Sequence, residues 1–361
     1  MNIDLLKRLC ETPGVPGREH RVRDLILDEA GDLFDEFFMD PLGTLVGRRF
    51  PRIASRAKNK KTQPKENPDA TRVMLLCHMD EIGFFVKHIS DKGFVYVDPV
   101  GGFDPRNLFS RRVMVCGADA DYLGVMNPGG KPIHISSPED RKKVPEIREF
   151  YIDLGMTADE VKKRVRVGDM VVMHEPLIEM GDKIVSKALD NRVACWLGLE
   201  SVRAIEKAGD KHDAEIIVAF TVQEEVGLRG AKTSSFSVEP DIAIGLDVTL
   251  SCDTPGVSPE DATTVQGEGA GLHVKDSSFI ADTELLDELE AVAKKKRIKT
   301  QRTVLSGGGQ DGAAAQQAGA GCRAMGLVVG TRYIHTVTEM IDKRDLKAAC
   351  DLLAAWLPTV K

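Results

Sequence analysis

Four short segments of the chain are almost wholly apolar and have the length of one β-strand. They read RVMLLC at residues 72–77, EIIVAFTV at 215–222, DIAIGL at 241–246 and RAMGLVV at 323–329. Their apolar residues follow one another without alternation, a pattern typical of strands buried on both faces of a parallel sheet. Residues 191–208 and 283–296 instead carry apolar side chains at helical spacing. The outer parts of the chain therefore predict an α/β fold.

The first fifty residues predict two short helices and a hairpin. Apolar residues recur at helical spacing in residues 2–11 and 18–30, and the segment TPGVPG between them contains residues that interrupt helices. Residues 36–50 indicate a hairpin around the sequence PLG. The lysine-, asparagine- and proline-rich segment at residues 51–70 is typical of a solvated loop, and we assign it no function.

The middle of the chain has a different pattern. Residues 81–172 contain alternating or glycine-punctuated segments such as GFFVKHI, GFVYVDPVGG, RRVMVCG and VRVGDMVVM, which predict short β-strands. Two charged pieces, near residues 138–144 and 158–164, are candidates for helices. We therefore expect a small β-domain at residues 81–172, inserted between two parts of one α/β domain at residues 1–80 and 173–361.

Composition narrows the possible partners and location. The 361 residues carry a formal net charge of -7, with 42% hydrophobic and 29% charged residues. Such an acidic chain lacks the basic face that nucleic acid or an anionic membrane requires, so we expect neither partner. The seven cysteines are an odd number without a CxxC pair, which favours reduced thiols in the cytoplasm. The first residues, MNIDLLKRLCETPGVPG, do not have the pattern of a signal peptide, so we expect a cytoplasmic protein.

Acidic and imidazole side chains follow the predicted buried strands. In an open α/β sheet the carboxyl ends of the strands form the edge at which ligands bind. We therefore expect the side chains at these positions to converge on one rim. They are His78, Asp80, Glu224, Glu225, Asp247 and His335.

Such a cluster restricts the chemistry of the site. Crowded carboxylates repel one another and take up protons unless cations lie among them. Two divalent ions about 3.5–4 Å apart would supply the positive charge, with the histidines as neutral ligands. Imidazole and carboxylate without thiolate suit zinc, cobalt or manganese better than calcium or magnesium. The pattern therefore predicts a site for two metal ions.

The spacing of these residues predicts separate roles for them. Residues two apart in an extended segment project to the same side, so the Asp80 carboxylate can accept the free ring N–H of His78. Glu224 and Glu225 would project to opposite sides, so that one binds metal while its neighbour reaches the metal-bound water as a base. Asp190 precedes a predicted helix and can serve as its N-cap, as a carboxylate bridging two cations, or as both.

Each of these residues also has an ordinary structural interpretation. The two histidines can simply end strands, an aspartate commonly forms a turn, and paired glutamates are commonly solvated. These interpretations do not explain why all of them stand at strand ends. The glycine runs at residues 267–271 and 307–309 lack the strand, lysine and helix order of a phosphate loop, so we interpret them as backbone near the substrate.

Several longer motifs resemble one peptidase family. They are HMDEIGFFVKHI, SDKGFVYVDPVGGFDPR, RKKVPEIREFYIDLG, RVGDMVV, KALDNR, QEEVGLRGA, IGLDVT and RYIHT. Together they resemble metallopeptidase family 42, the tetrahedral (TET-type) aminopeptidases, which include glutamyl and deblocking aminopeptidases and proteins once labelled endoglucanases. The motifs extend from about residue 1 to about residue 345, and only the loop at residues 51–70 lies outside them.

The resemblance implies both an architecture and a ligand set. The architecture is a phosphorylase/hydrolase-like three-layer α/β/α catalytic domain with an inserted small β-barrel that forms dimers, which assemble into a tetrahedral dodecamer. Two divalent ions, zinc or else cobalt or manganese, would share Asp190, with Glu224 as the general base and Asp80 as the partner of a ligand histidine. The implied ligand groups are His78, Asp190 and Asp247 for one ion, and Asp190, Glu225 and His335 for the other.

The sequence departs from the family pattern at three places. Gln310 stands in GGGQDG where the family usually has GGTDA, and Phe103 replaces a tryptophan before DPR. Thr336 and Val337 follow His335 where Ser-Pro is common. These departures leave the predicted ligands intact and bear on side-chain preference and on assembly.

The expected function is removal of N-terminal residues from short peptides by a metal-bridging water that Glu224 deprotonates. The preference for the amino end comes from the resemblance alone. A carboxypeptidase or an N-acyl amino acid deacylase would use the same site. A glycosidase would leave both histidines unused and usually stacks aromatic residues on the sugar, whereas this chain has two tryptophans and four tyrosines. The complete set of ligands and base argues against a non-catalytic assembly protein.

Overall fold

The computed structural model describes residues 1–53 and 66–361. Most of the loop predicted at residues 51–70 lies outside these ranges, and its assignment stays a prediction. The described residues form eight α-helices, and none of these helices combines the length and apolar composition needed to cross a lipid bilayer. Their bounds are α1 (Ile3–Glu11), α2 (His20–Ala30), α3 (Ala158–Arg164), α4 (Leu189–Ala208), α5 (Arg229–Val238), α6 (Thr283–Lys296), α7 (Asp311–Gln316) and α8 (Lys343–Trp356).

Seventeen β-strands lie in the same described ranges. The first nine are β1 (Glu36–Met39), β2 (Leu45–Arg49), β3 (Arg72–His78), β4 (Gly83–Ile89), β5 (Val95–Val100), β6 (Arg111–Cys116), β7 (Asp121–Pro128), β8 (Phe150–Asp153) and β9 (Met170–Met173). The other eight are β10 (Ile178–Met180), β11 (Lys183–Ser186), β12 (Glu215–Thr221), β13 (Ile242–Leu250), β14 (Ala270–Lys275), β15 (Thr300–Val304), β16 (Arg323–Arg332) and β17 (Glu339–Asp342).

The large sheet has eleven strands in the order β1-β2-β12-β3-β13-β16-β17-β11-β10, with β14 paired to both β15 and β16. At its centre β12 and β3, β3 and β13, and β13 and β16 pair in parallel. These are the four segments with unbroken apolar sequence, so the predicted parallel sheet is confirmed. Antiparallel strands flank this centre, with β2 against β12 and β17 against β16.

Helices cover both faces of the sheet and make three layers. On one face α4 packs against β3 and β13 and also contacts α1 and α8. On the other face α5 contacts β12, and α7 contacts β13 and α5. Gly198 lets α4 approach the sheet closely, because a β-carbon there would lie 2.8 Å from Val218 Cγ1 and 3.0 Å from Cys77 Sγ. The predicted α/β class is therefore confirmed.

The predicted N-terminal helices and hairpin also form. Helices α1 and α2 occupy the two segments of helical spacing, and β1 and β2 pair antiparallel. The turn between these strands is held by Asp40, whose Oδ1 accepts the backbone N–H groups of Leu42, Gly43 and Thr44 at 2.8–3.0 Å. An aspartate that binds the backbone of its own turn is a common reason for a hairpin to close at that residue.

A second, smaller sheet closes on itself. Strands β4, β5, β8, β7, β6 and β9 form a closed barrel in that order. Its interior is an apolar cluster separate from the one around the large sheet, and it includes Phe84, Val113, Phe150 and Ile152. The charged piece predicted as helical near residues 138–144 contains only a short 3-10 turn at Asp140–Lys142, whereas the piece at 158–164 is α3.

Candidate metal centre

The predicted site residues meet at the carboxyl edge of the parallel strands. His78 is the last residue of β3, and His335 lies in the loop three residues after β16 ends at Arg332. Asp247 differs from the prediction, because it lies inside β13 and not beyond it. It still reaches the edge, since the pairing of β13 with β3 stops at Gly245 and β13 continues past the end of its neighbour.

Asp190 is at the centre of the cluster and faces both histidines. Its Oδ1 lies 3.2 Å from His78 Nε2, and its Oδ2 lies 3.3 Å from His335 Nε2. Asp247 Oδ1 is 4.0 Å from His78 Nε2, and Glu225 Oε1 is 3.5 Å from His335 Nε2. Two groups of three ligand atoms, each within 4.8 Å of one another, therefore share Asp190. The groups are His78, Asp190 and Asp247, and Asp190, Glu225 and His335.

The local structure of Asp190 excludes one of its two predicted roles, the N-cap. Its φ and ψ of -80° and 103° are not helical, and regular helix geometry begins only after Asn191. The side chain of Asn191 caps the helix, since its Oδ1 accepts the backbone N–H of Ala194 at 3.1 Å. The N-cap interpretation of Asp190 is therefore wrong, and both of its carboxylate oxygens stay directed at the histidines.

Glu224 and Glu225 lie in a turn after β12 and not on an extended strand. Strand β12 ends at Thr221 and Gln223 has a φ of +57°, so strand alternation does not set the directions of the glutamates. Glu225 lies beside His335, whereas Glu224 Oε2 lies 3.9 Å from His78 Nε2. The ligand atoms of His78, Glu224 and Glu225 also lie within 4.8 Å of one another. The two glutamates lie beside different histidines, and the turn places them there, while their separate roles as ligand and base stay a prediction.

Asp80 is fully buried behind this turn. Its Oδ1 accepts the backbone N–H of Glu224 and its Oδ2 that of Glu225, both at 3.1 Å. The His78 ring contacts the same residue differently from the prediction: Nδ1 lies 3.1 Å from the Asp80 backbone oxygen and 3.6 Å from its carboxylate. The Asp80 backbone oxygen is therefore the nearer acceptor for the ring, whereas the carboxylate holds the backbone of the two glutamates.

Buried negative charge dominates the electrostatics of the cluster. Burial raises the pKa of Glu224 and of Asp247 well above their usual values, and it also raises the pKa of Glu225. Burial lowers the pKa of His335, but hydrogen bonds with Asp190 and Glu225 outweigh burial and raise this pKa to about 11. For Asp190, hydrogen bonds with both histidines outweigh burial and hold its pKa below the usual range. Crowded buried carboxylates beside imidazole nitrogens attract cations, so the residues fit bound divalent metal ions.

A buried ionic network joins the cluster to the N-terminal segment. Glu81 accepts from Lys187 Nζ at 2.6 Å and lies 3.4 Å from Arg192 Nη2. Arg192 is fully buried in α4, directly after the start of that helix. Its guanidinium donates to the backbone oxygens of Met79 at 2.7 Å, Thr12 at 2.7 Å and Gly14 at 3.4 Å, and also to that of Leu9.

Three acidic residues near the cluster were not among the predicted site residues. Asp311 is buried at the start of α7, where its Oδ2 accepts from Thr221, and burial raises its pKa to about 6. Glu19 Oε1 accepts the N–H groups of Gly17 at 2.7 Å and Gln223 at 3.0 Å. Glu339 accepts the backbone N–H groups of the candidate ligands Asp190 and His335. The sequence signal for Asp311 is its place in the GGGQDG motif, whereas Glu19 and Glu339 carry none.

The cluster opens into a cleft with a volume of about 580 Å³. Besides the acidic and imidazole groups, apolar side chains and the glycine run 307–309 line it, which agrees with the interpretation of that run. The other run, 267–271, is structural: the N–H groups of Gly267 and Gly269 donate to the two carboxylate oxygens of buried Asp345 at 2.7 and 2.8 Å. The apolar lining includes Leu228, Leu250, Leu305 and Ile334.

The α/β core, the acidic and imidazole cluster at its carboxyl edge and the adjoining cleft are together those of a hydrolase. A model of the family described as M42 glutamyl aminopeptidase matches residues 60–352. The chain belongs to this M42 family of aminopeptidases and is an enzyme that hydrolyses peptide bonds. Membership favours peptide hydrolysis over the glycosidase and non-catalytic alternatives.

Relatives match over nearly the full length. A protein from Acetivibrio thermocellus named as a putative aminopeptidase is 35% identical over 97% of this chain and 96% of its own. The structure of an aminopeptidase from the archaeon Desulfurococcus kamchatkensis is 36% identical, with a TM-score of 0.89, and the match covers 99% and 94% of the two chains. The TET1 peptidase of Pyrococcus horikoshii, which can assemble into a tetrahedron or a large octahedral shell, is 27% identical with a TM-score of 0.85, covering 99% and 100%.

Proposed function

We propose that this protein is a metallo-aminopeptidase that removes N-terminal residues from short peptides with the help of two adjacent divalent cations. One observation carries the proposal: the two carboxylate oxygens of Asp190 face different histidines, at 3.2 and 3.3 Å. A carboxylate in this position can bridge two cations, each completed by one histidine and one further carboxylate. The ligand groups would be those that share Asp190.

The donor set supports zinc, with cobalt or manganese as alternatives, because it combines imidazole with carboxylate and contains no thiolate. When bound, the two cations would supply Lewis-acid chemistry, polarising the scissile carbonyl and acidifying water. The side chains that hold them are buried to different degrees, His78 almost fully and His335 by about two thirds, with 2% and 33% of the side chain exposed. The more exposed His335 group faces the cleft through which a peptide would enter.

The chain itself supplies a base beside this centre. Glu224 belongs to neither ligand group that shares Asp190, yet its carboxylate lies within 4.8 Å of ligand atoms of His78 and Glu225 and lines the cleft. It would take a proton from the attacking water and deliver it to the nitrogen of the leaving amine. Asp80 would hold Glu224 in place through its backbone N–H. The acidic surroundings would favour the positively charged α-amino group of a peptide.

The experiment combines metal analysis of the purified protein with a panel of chromogenic aminoacyl anilides and N-acyl amino acids, before and after chelation. We expect two divalent ions per subunit, cleavage of the anilides, and loss of cleavage on chelation that zinc, cobalt or manganese restores. Cleavage of the acylated compounds alone would replace this proposal by a deacylase or carboxypeptidase with the same site.

The role of Glu224 has its own test. Glu224→Gln keeps the size of the side chain and removes the base, so kcat should fall by about 10²–10⁴-fold with the metal content unchanged. Glu268→Gln is the matched control, because this glutamate side chain is 61% exposed and its ion pair within residues 1–53 and 66–361 is with Lys299 at 3.5 Å. Cleavage by Glu224→Gln at the parental rate would exclude Glu224 as the base.

We also propose that the protein is a homo-oligomer, built from dimers that assemble into a tetrahedral dodecamer, with residues 81–172 as an inserted dimerisation domain between catalytic segments 1–80 and 173–361. Exposed apolar side chains on this part of the chain support the proposal, among them Leu123, Ile133, Ile135 and Val144 at 53–69% exposure. Light scattering would test it, since twelve subunits of 39.5 kDa give a distinctive mass.

The seven unpaired cysteines support a reducing, cytoplasmic location.

A further inference from the structure

Glu339 joins the two sides of the metal centre through backbone contacts. It is the first residue of β17, lies opposite Ser186 of β11, and is only 2% exposed. Its Oε2 accepts the backbone N–H of Asp190 at 3.0 Å, and its Oε1 accepts the backbone N–H of His335 at 2.8 Å. One buried carboxylate therefore holds the main chain of two candidate ligands that are 145 residues apart (335 − 190).

Both ligands need such support because neither has regular backbone geometry. Asp190 has φ and ψ of -80° and 103° ahead of the regular part of α4, and His335 has a φ of +62°. A left-handed conformation is unfavourable for a residue other than glycine, because its β-carbon crowds the backbone. A buried N–H without an acceptor would add a further cost. The Glu339 carboxylate satisfies both N–H groups and so favours the backbone conformation that directs both side chains into the cluster.

We propose that Glu339 is a positioning residue for the metal centre, and that it chiefly sets the affinity of the ligand group Asp190, Glu225 and His335. This inference rests on the proposed two-metal function. Glu339 contacts two of the three residues in that group and only one of the other group, Asp190. Loss of the two Glu339 hydrogen bonds should therefore weaken binding of the ion held by Asp190, Glu225 and His335 more than binding of the other ion.

The variant Glu339→Gln tests this inference with little change in volume. An amide has only one acceptor oxygen, so one of the two N–H groups would face an NH₂ group instead of an oxygen. Titration of the metal-free, full-length protein with Zn²⁺ should show one of the two binding steps weakened by about 10–100-fold, the usual effect of losing a contact that orients a ligand. The other step should change by less than about threefold.

Asp345→Asn provides the matched control. Asp345 is also a buried carboxylate whose two oxygens each accept one backbone N–H, from Gly267 and Gly269, but it does not line the cleft. The control should lose a similar amount of stability in thermal unfolding and keep both Zn²⁺ affinities. Glu339→Asp keeps the charge, but its carboxylate is set back by one methylene group from both N–H groups. It should therefore weaken the same step, and it serves if Glu339→Gln fails to fold.

The outcomes separate this inference from the proposed function. Failure of the parent protein to bind two Zn²⁺ ions would refute the two-metal function and this inference with it. If the parent binds two ions and both Glu339 variants bind them equally tightly, only the inference is wrong. An equal loss of affinity in Asp345→Asn would also overturn it, because the effect would then follow general destabilisation.

Discussion

Gly245→Ala should damage the strand that carries Asp247 by expelling a neighbouring side chain. Gly245 of β13 pairs with Gly326 of β16, and the side chain of Gln310 lies over both glycines. A β-carbon at residue 245 would lie 1.6 Å from Gln310 Oε1 and 2.7 Å from its Cδ. The distances are shorter than any non-bonded contact, so the glutamine must leave its position.

The structure gives the cost of that displacement. Gln310 Oε1 accepts the N–H of Gly312 at 3.1 Å and so caps α7, and loss of a cap costs about 1 kcal/mol. Forcing an extra carbon into a packed interior costs about 1–3 kcal/mol. Gly245→Ala should therefore destabilise the protein by about 2–4 kcal/mol. Gly307→Ala should change stability by less than about 0.5 kcal/mol, because a β-carbon there would meet no atom within 4 Å.

Urea unfolding at fixed protein and metal concentrations would measure both variants. The double variant Gly245→Ala/Gln310→Ala makes the test specific, because truncation of Gln310 removes the atoms that clash. The loss of unfolding free energy in the double variant should be smaller, by about 1–3 kcal/mol, than the sum of the losses in the two single variants. Parental stability of Gly245→Ala, or strictly additive effects in the double variant, would refute the proposed clash.

Two further substitutions probe charge at and away from the centre. Asp80→Asn should lower kcat/KM by about 10–100-fold. The substitution replaces one charge-assisted acceptor for the Glu224 and Glu225 N–H groups, a loss of about 1.5–3 kcal/mol. Unchanged kinetics on the anilide panel would contradict this expectation. Asp253→Asn should cost about 1 kcal/mol at neutral pH, since the hydrogen bond with Arg332 lowers the pKa of Asp253 from 3.8 to about 2. A lowered pKa means that the stabilisation is complete above pH 3.8 and disappears as the pH falls towards about 2. Unfolding curves of parent and variant should therefore converge over that range, and a constant difference would contradict the assignment.

The centre of the fold could be predicted because strands buried on both faces have apolar residues at nearly every position. β3, β12, β13 and β16 have no polar alternation, and parallel strands require helices between them. β14 and β15 were not predicted. β14 follows a glycine run, β15 alternates polar residues, and each acquires its place only by pairing with the other and with β16.

The candidate ligands could be predicted for a related reason, because the ends of parallel strands reach one edge whatever the connections between them. The hydrogen bonds that position these candidate ligands could not be predicted from the sequence. The N–H groups held by Glu339 and by Asp80 come from segments distant in sequence, and no periodicity links them. The turn at Gln223 was missed as well, because glutamine rarely adopts a positive φ, and the contact of its N–H with Glu19 depends on the fold.

The buried Arg192 links the first fourteen residues to the candidate metal centre. Its guanidinium depends on carbonyl groups of Leu9, Thr12 and Gly14, and its own backbone follows Asp190 by two residues. A shortened chain that began at α2 would leave a charged group in the interior with three of its five acceptors missing, next to the carboxylate between the histidines. Trimming that end to improve expression or crystallisation would therefore disable the enzyme without removing any residue that touches the substrate.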